Sequence, residues 1–321
     1  MRILTLALLT TLALGAGSTA GAADLDYGVL RGPDYEPAAP IIDWNGVYVG
    51  GHGGYTSAAL GYRNVFQPLV ASALLATTAE GQFNASTLLQ ARSQRVDGTS
   101  FGAYAGFNYQ FEDTVIGIEA DYTRFEKTGL TSDRIARFGT TTGGFFETVA
   151  LSGVSTTKIQ EFGTARARAG FAFGNFLPFV TGGVAIGRAQ ITDSVAINNY
   201  GYDQAAYRAN VATATTSSTT TTTGGVTTTT TTAPGAQVNV ANFGYAAFNR
   251  NNPDASVVAA PRIVGRASTK VVAGVALGAG IEYALTSNII LRGEYQYVLF
   301  NDFDGHKVNL NTVRGGAAVK F

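Results

Sequence analysis

Apolar residues recur at every second position of this chain, in separate segments of about 10 to 14 residues. From Phe101 to Phe111 one side carries Phe101, Ala103, Ala105, Phe107, Tyr109 and Phe111, the other Gly102, Tyr104, Gly106, Asn108 and Gln110. Ile116, Ile118, Ala120 and Tyr122 oppose Gly117, Glu119, Asp121 and Thr123, and Ala165, Ala167, Ala169 and Phe171 oppose Arg166, Arg168 and Gly170. The pattern returns over Val271–Tyr283, Ile289–Leu299 and Val313–Phe321, and less cleanly over Asn45–Tyr55 and from Leu177 to Ile191. A two-residue period puts successive side chains on opposite faces of a strand, so these are eight expected β-strands, each with one apolar face.

A soluble sandwich would bury that apolar face, and a membrane barrel would turn it to lipid. The opposite face decides between them. It is built of Gly with acids and arginines, where a solvated face would favour Lys, Glu, Thr and Ser. Small residues and paired charges suit the narrow interior of a small barrel. Composition agrees: Gly is 40 of 321 residues and only 14% are charged, against about 25% in an ordinary soluble domain. Several apolar faces also end in aromatics (Tyr55, Tyr109, Phe111, Tyr122, Phe171, Tyr283, Phe321), as interfacial girdles do. The expected fold is therefore all-β, an antiparallel up-and-down transmembrane barrel of eight strands.

The N-terminus and the spacing between strands complete the plan. Arg2 is the only charge before Asp24, Ile3–Leu14 is apolar, and Ala20-Gly21-Ala22 has the form of a cleavage site; residues 1–22 read as an export signal. The best later apolar run, Val271–Ile281, is 11 residues long and Gly-rich, too short for a spanning helix of about 20 residues. Residues 23–43, with Pro33, Pro37 and Pro40, read as a periplasmic lead-in, and 44–321 as the barrel. Tight links at Glu112–Thr114, Gly174–Phe176 and Leu285–Asn288 alternate with long loops over 56–97, 126–157, 192–269 and 300–309. Short turns on one rim and long loops on the other is the bacterial outer-membrane arrangement. Within the first loop, Leu69–Ala76 and Leu88-Leu89 predict a helical hairpin above the membrane. In the third, the tract Thr213–Thr232 has no apolar face to bury and reads as extended or disordered.

Chemical motifs are sparse. With no Cys there is no disulfide or thiol chemistry, and 22 basic against 22 acidic residues leave no field for nucleic acid. Gly98-Thr99-Ser100-Phe101-Gly102 matches a nucleophile elbow, but Ser100 opens an alternating strand rather than a strand-to-helix turn. Gly50-Gly51-His52-Gly53-Gly54 lacks the Lys of a phosphate loop, and His52 reads as an interior polar filler. His306 follows Asp302 and Asp304 in the last loop, where a solvated histidine is expected rather than a metal site. No enzyme activity, metal or cofactor is expected.

The charges on the inward face carry the sharpest expectation. Counted by height from the short-turn rim, Glu119 faces Arg168 and Asp121 faces Arg166; Glu294 matches Arg314 and Glu282 is within reach of Arg292. Four acids and four arginines inside a narrow barrel predict a hydrogen-bonded plug.

Several blocks resemble a known family. Trp44-Asn45-Gly46-Val47-Tyr48-Val49-Gly50-Gly51, then Phe162–Gly170, Leu177–Ala185, Gly278–Leu285, Thr312–Gly316 and the terminal Phe321 occur in order along the chain. They resemble the α-proteobacterial outer-membrane immunogenic proteins, also described as porin-family or opacity-like, OmpA-type surface antigens. The resemblance implies an eight-stranded barrel in the Gram-negative outer membrane, with outer-membrane lipids as partners. It makes Phe321 a terminal signal for the assembly machinery and the loops a contact for an extracellular ligand or host surface. A structural, surface-displaying role with a plugged lumen is expected, with a small-solute porin or haem-binding surface protein as the alternative. The long first loop and the Thr tract depart from the family pattern.

Overall fold

Each alternating segment forms a strand, and each strand is longer than its apolar part. The computed structural model describes residues 42–214, 217–232 and 235–321, so the expected export signal over 1–22 and nearly all of the 23–43 lead-in lie outside the described residues. In chain order, β1 (Gly46–Tyr62) is followed by α1 (Gln67–Ala73) and α2 (Thr78–Phe83), then by β2 (Gln94–Phe111), β3 (Thr114–Thr140), β4 (Phe145–Phe171) and β5 (Phe176–Asp203). Next come α3 (Gln204–Thr213), the hairpin β6 (Ser217–Thr223) and β7 (Val226–Thr232), and the short β8 (Asn242–Phe243), β9 (Tyr245–Ala247) and β10 (Val257–Val258). The chain ends with β11 (Arg262–Ala284), β12 (Ile289–Phe300) and β13 (His306–Lys320).

Eight of these strands close a ring in the order β1-β2-β3-β4-β5-β11-β12-β13, with β1 returning to β13. All neighbours are antiparallel, and β5 meets β11 over a long register from Arg262↔Ile197 to Tyr283↔Phe176. Closure leaves no open edge at membrane depth, the condition for a sheet to satisfy its backbone in lipid. Among the described residues no helix is long and apolar enough to cross a membrane.

The outer surface is the apolar face of the alternation. Val47, Val49, Ile116, Ile118, Val180, Val184, Val275 and Leu277 are all exposed there. Tyr109, Phe111, Phe171, Tyr283 and Phe321 ring the short-turn rim, while Tyr55, Phe101, Tyr122 and Tyr295 lie at the opposite edge of the band. That double girdle bounds the membrane-spanning segments.

Most of what reads as loop is strand. The expected loop 126–157 is the upper part of β3 and β4, joined by a turn at 141–144, and β5 and β11 likewise consume both ends of 192–269. At the other two long links, β1 runs to Tyr62 and β2 starts at Gln94, while only residues 301–305 separate β12 from β13. Strands of 23 to 28 residues far exceed the roughly 10 needed to span a bilayer. Their extensions persist because their inner faces still bury Val149, Leu151, Val195 and Ile197. What they bury against is the first loop. Phe66, Val70 and Leu74, from α1 and its flanks, pack into one apolar core with Leu60, Val308 and Leu310. The helical hairpin thus packs against the inner faces of the strands. The Thr tract is extended from Ser217, the first of the two expected alternatives, and is paired as β6 and β7.

Candidate functional site: the filled lumen

Four arginines and four acids of the inner face form one cluster across the barrel. Arg166 is its centre. Its Nη2 lies 2.5 Å from Glu119 Oε1 and 2.9 Å from Asp121 Oδ2, and its Nη1 is 2.5 Å from Glu294 Oε1 and 2.9 Å from Thr181 Oγ1. Arg314 Nη2 reaches Asp121 Oδ2 at 3.1 Å and Glu294 Oε2 at 2.9 Å. Arg292 binds Glu119 through both terminal nitrogens and lies 2.9 Å from Glu294. Arg168 takes Glu282 in a two-pronged contact at 2.8 and 3.1 Å, and also donates to Tyr48, whose hydroxyl donates to Glu119. All of these charged side chains are at most 3% exposed.

Geometry explains why the charges tolerate burial. A lone charge removed from water is costly, whereas guanidinium–carboxylate pairs with shared hydrogen bonds recover much of that cost. The Arg168 and Arg292 guanidiniums also stack on the Phe179 ring, 4.5 and 4.6 Å from its centre, a favourable cation–π contact. Space comes from Gly278, where a β-carbon would stand 2.5 Å from Thr181 Oγ1 and 2.7 Å from Glu294 Oε1.

Both pairs expected by height are in contact, Asp121 with Arg166 at 2.9 Å and Glu119 with Arg168 at 3.9 Å. Neither is the registered pair: Glu119 lies directly opposite Arg166, and Asp121 opposite Thr164. Strands in a closed barrel tilt and stagger, so residues at equal height are not the registered pair. Glu294↔Arg314 and Glu282↔Arg292 are registered pairs, with closest approaches of 2.9 and 3.7 Å.

The cluster lies between further layers of buried side chains. Below it, Trp44 is fully buried with Ile42, Tyr48, Leu177 and Ile290, and donates its indole N–H to Gly174 O at 3.2 Å. Above it, His52 approaches Arg314 and Thr123 at 3.3 and 3.4 Å, and Thr56 joins Ser100 and Thr312 at 2.8 Å each. Ser100 is thus a buried hydroxyl inside β2, with no helix following it. Next comes the apolar layer of Ala58, Leu60, Phe162, Phe300 and Leu310.

A second polar node lies above that layer, and the alternation of the sequence did not reveal it. His306 is not a solvated loop residue: it begins β13, points inward and is fully buried. Its Nδ1 is 2.7 Å from Thr157 Oγ1 and its Nε2 3.3 Å from Asp193 Oδ2. Asp193 also accepts from Ser155 at 2.5 Å and from Arg266 at 2.8 Å. Burial raises the Asp193 pKa, but the hydrogen bonds from His306, Ser155 and Arg266 outweigh it and hold the carboxyl below its usual range. The only forewarning was a lone acid at an inward parity of β5. Asp302 accepts the Gly305 N–H at 3.0 Å within its turn, and Asp304 pairs with Lys270 at 3.2 Å.

A closed ring of eight strands, an apolar outer band between aromatic girdles and a charged, filled interior define an outer-membrane β-barrel protein. Two curated relatives carry an outer-membrane name. The chain is 26% identical over 327 residues to the 31 kDa outer-membrane immunogenic proteins of Brucella melitensis and Brucella suis, covering 98% of each chain. No family model matches it. Similar solved structures include neisserial surface protein A (12% identity, 86% of this chain and 98% of that one, TM-score 0.30). Another is outer membrane protein OprG from Pseudomonas aeruginosa (12% identity, 86% and 96% covered, TM-score 0.32).

Proposed function

We propose that this protein is a non-conducting structural barrel that contributes to envelope integrity and displays an elongated extracellular wall and its loops. The observation that carries this reading is the lumen. From rim to rim it holds the Trp44 floor, the Arg166 ion cluster, the apolar layer and the helical hairpin with Phe66 and Val70. An eight-stranded ring has room for side chains and little else. No catalytic role is assigned to any residue. His52 and His306, at 8% and 0% exposure, are poorly placed to capture haem from outside. Phe321, 76% exposed at the short-turn rim, is the group we assign to recognition by the assembly machinery. The test is planar-bilayer recording of refolded protein. Membranes containing it should stay at baseline conductance; stable, reproducible channel steps would overturn the reading in favour of a small-solute pore.

A further inference from the structure

The hairpin of β6 and β7 is an isolated two-stranded sheet. It is registered from Ser217↔Thr232 to Thr223↔Val226 and pairs with no other described strand. Gly224 and Gly225 turn it, with φ of +62° and +79°, the left-handed conformation that a tight hairpin turn requires. Every residue from 218 to 231 is exposed, so neither face is covered. The cross-strand side-chain contacts are hydroxyl pairs, Thr220 with Thr229 at 3.3 Å and Thr222 with Thr227 at 3.1 Å. Two bare strands in water are only marginally stable and gain from a third.

Both outer edges are open, and neither is defended. Proteins usually block such edges with Lys, Pro or a bulge. Here no charged residue and no proline occurs from 217 to 232, and the pairing is regular throughout. Uncharged, β-branched, proline-free segments of this length are those that add strands. The threonine repeat also removes the usual register constraint, since a slip of two residues lays Thr on Thr again.

We propose that this hairpin is a homotypic contact, joining two copies of the chain by edge-to-edge strand addition into a four-stranded sheet. A second copy is the occupant the chemistry favours. Apart from Val226 beside the turn, its Thr rows meet these rows without an unmatched charge or apolar side chain, and cross-strand Thr pairs are favourable. The inference uses the extracellular loops of the proposed function but not its closed lumen, so association and conductance fail independently.

The absence of Cys makes the test direct. Thr221→Cys on β6, Thr230→Cys on β7 and, as control, Asn251→Cys in an exposed loop are introduced singly into the full chain. Each is refolded in detergent and oxidised mildly. Strand neighbours about 5 Å apart at Cβ are within reach of a disulfide. At least one hairpin variant should dimerise tenfold or more faster than the control. Adding Thr220→Lys with Thr231→Lys, one charge for each edge, should remove that advantage. Sedimentation of the Cys-free chain should show a concentration-dependent dimer that the same lysines weaken at least tenfold. Retained heat-modifiable gel migration verifies that each variant is folded. Equal oxidation rates at all three sites, or a dimer indifferent to the lysines, would overturn the proposal.

Discussion

Arg166 donates to Glu294 at 2.5 Å across the lumen, although β4 and β12 are not neighbours in the ring. The backbone ladder ties each strand only to the two beside it. This contact joins strands three places apart in the ring, and Arg166 also holds Glu119 and Asp121 on β3.

Replacing Arg166 with Met should therefore lower the urea midpoint of unfolding sharply. Removing one partner from a buried ion network typically costs about 3–5 kcal/mol. Arg124→Met, which breaks an exposed pair with Glu126 (side chains 52% and 48% exposed), should change the midpoint little. The exchange Arg166→Glu with Asp121→Arg should recover only part of the loss, since it leaves Glu119 and Glu294 facing a carboxylate. Equal midpoints for Arg166→Met and Arg124→Met would refute the bracing role.

Asp193 sets a pH dependence on the extracellular wall, seven residues beyond Ile186 at the edge of the apolar band. Its folded pKa is depressed, so the folded state binds this proton less readily than the unfolded chain. The resulting stability is complete above the unfolded value of about 3.9 and is lost as pH falls through the lower folded value. Asp193→Asn should remove that part of the acid dependence. Urea midpoints measured between pH 6 and pH 2.5 should fall less steeply for the variant than for the parent chain.

The hairpin at the barrel mouth is held by burial. Phe66 is 1% exposed and lies over Gly153, where a β-carbon would come within 2.9 Å of its ring. Phe66→Ala should loosen α1 and α2 while the ring of strands stays closed, because no ladder bond passes through that side chain. Limited proteolysis should then cut within residues 67–90 faster than in the parent, with folded gel migration retained. Protection unchanged from the parent would show that the hairpin does not depend on this anchor.

Deleting 217–232 should leave insertion and heat-modifiable migration intact. The hairpin pairs only with itself, and the entropy of closing the shortened loop changes slowly with length. A deletion variant that migrates as unfolded chain in both boiled and unboiled samples would show that the tract supports the barrel.

Much of the membrane-embedded part is readable from the chain alone, for a simple reason. A side chain's parity along a strand determines whether it meets lipid or lumen, so Ile116 and Ile118 point out and Glu119 and Asp121 point in. The tight turns at Glu112–Asp113 and Gly174–Asn175 are equally local, resting on residues that adopt positive φ at Glu112 and Gly174.

What tertiary structure alone decided is everything that crosses the lumen or depends on register. Parity assigns Arg166 to the interior and height sets it beside Asp121, but only the stagger of a closed ring brings Glu119 and Glu294 to it as well. The wall above the membrane was hidden because its inner partners are distant in sequence. Val149 and Ile197 have something to bury only once residues 66–74 fold back into the mouth. His306 shows the same dependence: next to Asp304 and Gly305 it reads as loop, and its burial requires Thr157 and Asp193 from strands on the far side of the barrel. Alternation is a property of one strand, whereas the contents of a lumen are set by all eight together.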